Sequence, residues 1–139
     1  MQTGELIRQQ RKLKGLTQKQ LADMLGVSSP SIRLYELGKR TPSEDILKRI
    51  ADALEISVET LHEYHTDSSR EALEMLFRLE YEYGVVPLKT DDGYSLAIDK
   101  KAPHAPKLCM ALDVWQEMRG KLDAGEITQE EYEAWKARF

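Results

Sequence analysis

A single cysteine, Cys109, leaves no partner for an internal disulfide. Packing alone must therefore hold the fold, and a reducing compartment, the cytoplasm, is the expected location. Long apolar runs are missing too, and none approaches the roughly 18–20 residues that a membrane helix requires. The opening Met1-Gln2-Thr3-Gly4-Glu5 has no apolar segment, so no signal peptide is expected. No glycine-rich phosphate loop occurs; Gly38-Lys39 reads as a helix stop followed by a basic group. His62, His65 and His104 stand at no metal-ligand spacing, and Cys109 has no local partner that would make it a nucleophile. Asp91-Asp92-Gly93 supplies too few oxygen ligands for a calcium loop and reads as a hairpin turn. Neither a catalytic centre, a metal nor a cofactor is expected, and the chain is not read as an enzyme.

What is present is the composition of a folded domain, 41% hydrophobic and 32% charged with a formal net charge of −4. The total conceals an asymmetry. Residues 1–40 carry eight basic side chains (Arg8, Arg11, Lys12, Lys14, Lys19, Arg33, Lys39 and Arg40) against three acidic ones, Glu5, Asp23 and Glu36. Residues 66–139 carry ten basic and fifteen acidic groups. A polyanion would be drawn to the first part and repelled by the second.

Helix punctuation divides the N-terminal part into five short helices. Leu6, Ile7, Leu13 and Leu16 mark a first helix from about Gly4 to Lys14, stopped by Gly15. Thr17-Gln18-Lys19-Gln20 is a capping box for a second, Gln18 to Leu25, which Gly26 stops. Ser28 can cap a third, Ser29 to Leu37, with Pro30 tolerated in the first turn because amides there lack intrahelical partners. A fourth follows Pro42-Ser43 and shows Ile46, Leu47, Ile50, Ala51 and Leu54 on one face. Ser57 is expected to cap a short fifth helix carrying Val58 and Leu61.

A boundary is expected at His65-Thr66-Asp67. Beyond it, Ser68-x-x-Glu71 caps a helix reaching about Tyr83, and Val85–Lys89 and Tyr94–Ile98 flank a turn-rich tetrapeptide as a β-hairpin. Pro87 cannot donate to a ladder and belongs on an edge. Two helices close the chain, about Lys107 to Asp123 and Gln129 to Arg138, the second capped by Thr128-x-x-Glu131. The fold class expected is mainly α: a five-helix domain over 1–65, then a small α+β domain over 66–139.

Two helices of about eight residues joined by a turn containing Gly26 are the mechanical core of a helix-turn-helix. Thr17-Gln18, Ala22, Gly26-Val27, Ile32, Tyr35-Glu36, Gly38-Lys39-Arg40 and Pro42-Ser43 fit together at one spacing. In that combination the stretch resembles the Cro and phage-repressor (Xre-type) helix-turn-helix family, a lambda-repressor-like fold, over about Gly4 to His62. The resemblance implies a sequence-specific regulator that binds double-stranded DNA, a repressor acting as a homodimer on a palindromic operator. It places Ser28, Ser29, Pro30, Ser31 and Arg33 on the part of the third helix that enters the major groove. Arg33, whose fork can hold guanine O6 and N7 together, is the candidate base reader, with a solvated surface arginine as the alternative. Gln18 falls where the family anchors a backbone phosphate, and Lys39 and Arg40 are expected to meet phosphate on the far side. The positions of Arg11 and Glu36 imply a partly buried ion pair between the first and third helices. Pro30 departs from the polar residue many relatives carry, and its ring could instead touch a thymine methyl. Arg8, Lys12 and Lys14 read as a solvated face.

The last twenty-five residues resemble a short C-terminal helical hairpin of bacterial proteins, with Leu122, Ile127, Tyr132, Trp135 and Phe139 zipping two helices together. Such a pair is too small to stand alone and is expected to pack on the 68–98 segment or on another copy. For Trp115 and Trp135, core filling stands beside a dimer contact or a ligand pocket. Two alternatives to the repressor remain open. One is an antitoxin or mobile-element repressor whose second half binds a protein partner; the other is a pure interaction module.

Overall fold

The computed structural model describes the whole chain, Met1–Phe139, as seven α-helices, one 3-10 turn and a two-stranded sheet. The helices are α1 (Thr3–Leu13), α2 (Gln18–Leu25), α3 (Ser29–Glu36), α4 (Glu44–Leu54), α5 (Ser69–Tyr83), α6 (Ala105–Asp123) and α7 (Gln129–Arg138). Between α4 and α5 lies the 3-10 turn Val58–Leu61, and between α5 and α6 the strands β1 (Val85–Thr90) and β2 (Gly93–Ile98). No helix is long and apolar enough to cross a membrane.

Two compact units divide the chain, and not at the expected place. Met1–Tyr64 forms one unit together with Ile127–Phe139, while His65–Glu126 forms the other. The split into 1–65 and 66–139 therefore misplaces α7, which joins the first unit and not the 68–98 segment on which the C-terminal pair is expected to pack. The cause is visible at the Ala137 carbonyl, which accepts from the Ser57 amide and from Thr60 Oγ1, both at 2.9 Å. Tyr132 and Ala137 are buried on the same helix, and Trp135 sits between the Tyr132 and Phe139 rings, 6.0 and 5.1 Å away.

In the first unit Ile7, Leu21, Ile32, Ile50 and Leu61, all almost completely inaccessible, come from α1, α2, α3, α4 and the 3-10 turn. The fifth expected helix is thus a single tight turn. Its Ser57 Oγ donates to Glu59 Oε2 at 2.6 Å instead of capping the backbone. Ala22 is buried on α2, which packs on both α3 and α4, and a larger side chain there would press against the core. Gly4 is buried within α1, and a Cβ there would lie 2.3 Å from the Tyr35 carbonyl oxygen and 3.0 Å from that of Glu36. Helix α1 can meet the C-terminal end of α3 this closely only because residue 4 has no side chain.

The second unit is built around the end of α5. Gly84 has a left-handed φ of 71°, and a Cβ on it would fall 2.6 Å from the Asp99 carbonyl oxygen. The sheet is an antiparallel hairpin pairing Val85 with Ile98 through to Thr90 with Gly93, around the two-residue turn Asp91-Asp92. In a two-stranded sheet both strands are edges, so Pro87 removes no ladder bond that a third strand would need. Helix α6 starts at Ala105, two residues before the expected Lys107, because Pro106 fits a first turn whose amides have no intrahelical partner. Only Val85 and Ala105 are buried apolar residues in this unit, and α5 buries none.

Candidate nucleic-acid interface

Local chemistry fixes the helix pair. Thr17 Oγ1 accepts from the Gln20 amide at 3.0 Å while Gln20 Oε1 accepts from the Thr17 amide at 2.8 Å, which sets the start of α2. Gly26, at φ 66°, ends α2 in the left-handed conformation and turns the chain toward α3. Ser28 Oγ accepts from the Ser31 amide at 3.3 Å and shares a 2.9 Å hydrogen bond with the Ser31 hydroxyl. These two serines are partly committed to opening α3, while Ser29 is half-buried beside them.

Helix α3 then divides by face. Ile32, Tyr35 and Glu36 are buried against the rest of the unit, whereas Pro30, Arg33 and Leu34 are exposed. Past its end, the Lys39 and Arg40 amides both donate to the Leu34 carbonyl, at 3.0 and 3.2 Å, which brings two cationic residues back to the helix. Lys39 is exposed, and the Arg40 guanidinium lies 5.7 Å from the centre of the Tyr35 ring. Arg33 on α3 and Lys39 and Arg40 just past its end are all exposed cations.

Glu36 is the one acid on α3, and the fold consumes its charge. Arg11 Nε donates to Glu36 Oε1 at 2.5 Å and Nη2 to Oε2 at 3.0 Å, a two-pronged pair whose side chains are only 9% and 3% exposed. A third Arg11 nitrogen, Nη1, donates to the Leu16 carbonyl at 2.6 Å. Gln18 Nε2 donates to Glu36 Oε2 at 2.9 Å. The Gln18 side-chain amide, expected at a phosphate, thus also faces the ion pair. Leu34 and Leu37 are 37% and 51% exposed, and with Pro30 they recur at the spacing of one helix face. That periodicity was available in the sequence.

Burial opposes the charge on Glu36, but the hydrogen bonds from Arg11 and Gln18 and the Arg11 charge outweigh it and hold the carboxyl below its ordinary range. The Arg11 guanidinium is correspondingly held more firmly protonated by its bond to Glu36. A lowered folded pKa means that the unfolded chain takes up the proton first. The stabilisation is hence complete above the ordinary glutamate value of about 4.3 and is lost as pH falls through the folded value. Melting curves of wild type and Glu36→Gln, recorded from about pH 6 to pH 3, should converge on acidification; parallel curves would contradict this.

Placed to hold a metal ion there is no group of three or more His, Cys, Asp or Glu side chains. The comparisons agree with the geometry. A family model described as helix-turn-helix matches residues 7–61. RstR, a cryptic phage CTXphi transcriptional repressor of Vibrio cholerae serotype O1, is 38% identical over 81 residues, covering 58% of this chain and 72% of that protein. The chain belongs to the helix-turn-helix family of transcriptional regulators.

Within that family, an uncharacterized regulator of Mycobacterium tuberculosis, Rv0474, is 44% identical over 59 residues, which cover 42% of each protein. Its remaining length has no counterpart in the matched stretch. Among solved structures, the restriction-modification controller protein C.AhdI from Aeromonas hydrophila is 32% identical, covering 43% of this chain and 91% of that one with a TM-score of 0.42. The family is one of DNA-binding regulators, not a class of enzymes.

Proposed function

We propose that the protein is a sequence-specific transcriptional repressor that binds a palindromic operator as a homodimer, with α3 in the major groove. The observation that carries the reading is the fate of Glu36. An uncompensated acid on a helix facing a polyanion weakens phosphate attraction, and three donated hydrogen bonds from Arg11 and Gln18 commit the Glu36 charge within the fold. With that charge withdrawn, Arg33, Lys39 and Arg40 are the exposed charges on α3 and just past its end. In this reading Arg33 holds a guanine, Ser29 and Ser31 contact the groove wall, and Lys39 and Arg40 bind phosphate. Gln18, held against Glu36, offers its backbone amide at the start of α2 and its second side-chain hydrogen to another phosphate.

Dimerisation is assigned to residues 65–126. Leu73 and Phe77 stand four residues apart on α5 and are each 42% exposed, and Met110 and Val114 repeat the pattern on α6. A unit with so thin a core is stabilised by covering such faces with a second copy. Two half-sites about 34 Å apart then multiply the discrimination of one helix. RstR is named for a phage, which favours repression of a mobile element as the biological setting.

Light scattering at micromolar concentration should report a dimer, and Leu73→Asp with Phe77→Asp should give a folded monomer. Joining two half-sites raises avidity by about 100-fold or more, so this variant should lose that factor on the palindrome while keeping its affinity for one half-site. A monomeric wild type, or an unchanged palindrome affinity in the variant, would overturn the dimer.

A further inference from the structure

Helix faces turned to water are ordinarily polar. On α3 the exposed face is not. Pro30, Leu34 and Leu37, at the i, i+4, i+7 spacing, form an apolar stripe opposite the buried Ile32, Tyr35 and Glu36, and Arg33 lies at its edge. None of the three leucine or proline side chains is needed to fill the core, which Ile7, Leu21, Ile32, Ile50 and Leu61 already occupy.

We infer that Pro30 and Leu34 read thymine by packing on its C5-methyl group in the major groove. The inference rests on the DNA-binding reading above and adds to it what the helix recognises. The groove offers one apolar feature, the thymine methyl, and it projects beside the atoms that Arg33 would bind on a neighbouring guanine. A hydrophobic protein partner fits the surroundings less well. The stripe is bordered by Arg33, with exposed Lys39 beyond its C-terminal end, and these cations complement phosphate. Leu37 continues the stripe toward Lys39, at the end of the helix that leaves the groove. The half-site expected is therefore a guanine flanked by thymines.

The test starts from duplexes selected on the full-length protein from an unmethylated random library, so that every C5-methyl present belongs to thymine. Each thymine of the selected half-site is then replaced by deoxyuridine, which removes the methyl and leaves pairing unchanged. Wild type should lose about fourfold in affinity for each contacted methyl. Leu34→Ala should bind the thymine duplex about as wild type binds the deoxyuridine duplex, and should no longer distinguish the two. Pro30→Ser provides the same comparison at a second position, with circular dichroism confirming that both variants fold. A selected half-site without thymine, or indifference of wild type to deoxyuridine, overturns the inference while DNA binding stands. Unchanged discrimination in both variants also overturns it and leaves the stripe to a protein partner. Failure to retain any duplex overturns this inference and the DNA-binding reading together.

Discussion

Replacing Arg11 with methionine is expected to destabilise the N-terminal unit by about 3 kcal/mol, the lower end of what breaking a buried ion pair costs. The change leaves Glu36 3% exposed at its side chain, with Gln18 as its one remaining side-chain hydrogen-bond donor and only the Arg8 charge nearby to favour the carboxylate. It also removes the donor to the Leu16 carbonyl. A unit of this size has only about 5–10 kcal/mol to lose, so the effect should be plain in a melting curve. Adding Glu36→Leu removes the stranded charge and should restore more than half of the loss. Recovery stays incomplete because the Leu16 carbonyl and the Gln18 amide still lack their partners. A double-mutant cycle showing no coupling between positions 11 and 36 would contradict the account.

Gly4→Ala is expected to act against the usual trend. Within a helix, alanine normally gains about 0.5–1 kcal/mol over glycine. Here its Cβ would lie 2.3 Å from the Tyr35 carbonyl oxygen, and both clashing groups are backbone, so α1 must move away from α3. Overpacking of this kind costs about 1–3 kcal/mol and more when backbone must shift. At about 4–8 °C per kcal/mol for so small a unit, the melting temperature should fall by about 10 °C or more. The movement should loosen the Arg11–Glu36 pair as well, so the acid sensitivity of the variant should shrink. A stabilised Gly4→Ala would show that α1 and α3 are not in such close approach.

What could be read from the sequence was mostly what short-range chemistry decides. The capping boxes at Thr17/Gln20, Ser68/Glu71 and Thr128/Glu131 form between residues three apart, and the structure contains each of them. Gly26 and Gly84 end their helices with left-handed φ, as a helix stop requires. Patterns fail where a contact is made by groups that every residue carries. The docking of α7 on Ser57 and Thr60 runs through the Ala137 carbonyl, which no side-chain spacing announces. Gly4 reveals its role only when Tyr35, thirty-one positions later, is placed beside it. The Gln18–Glu36 bond likewise joins residues that the family pattern treats separately. The Pro30, Leu34 and Leu37 periodicity, by contrast, is legible in the sequence, because all three lie within two turns of one helix face.

The most direct test is the affinity of the full-length protein for its selected duplex and for random duplex across a salt series, with wild type beside Arg33→Ala and Lys39→Ala. Lys39 is the better phosphate probe because Arg40 also packs on Tyr35. Wild type should prefer the selected duplex and weaken steeply as salt rises. Arg33→Ala should lose about 1–3 kcal/mol on the selected duplex and little on random DNA. Lys39→Ala should weaken both alike and lower the salt slope by about one. Absence of salt-dependent binding to any duplex, or equal losses on both duplexes for Arg33→Ala, would contradict the reading of α3 as the helix that recognises sequence.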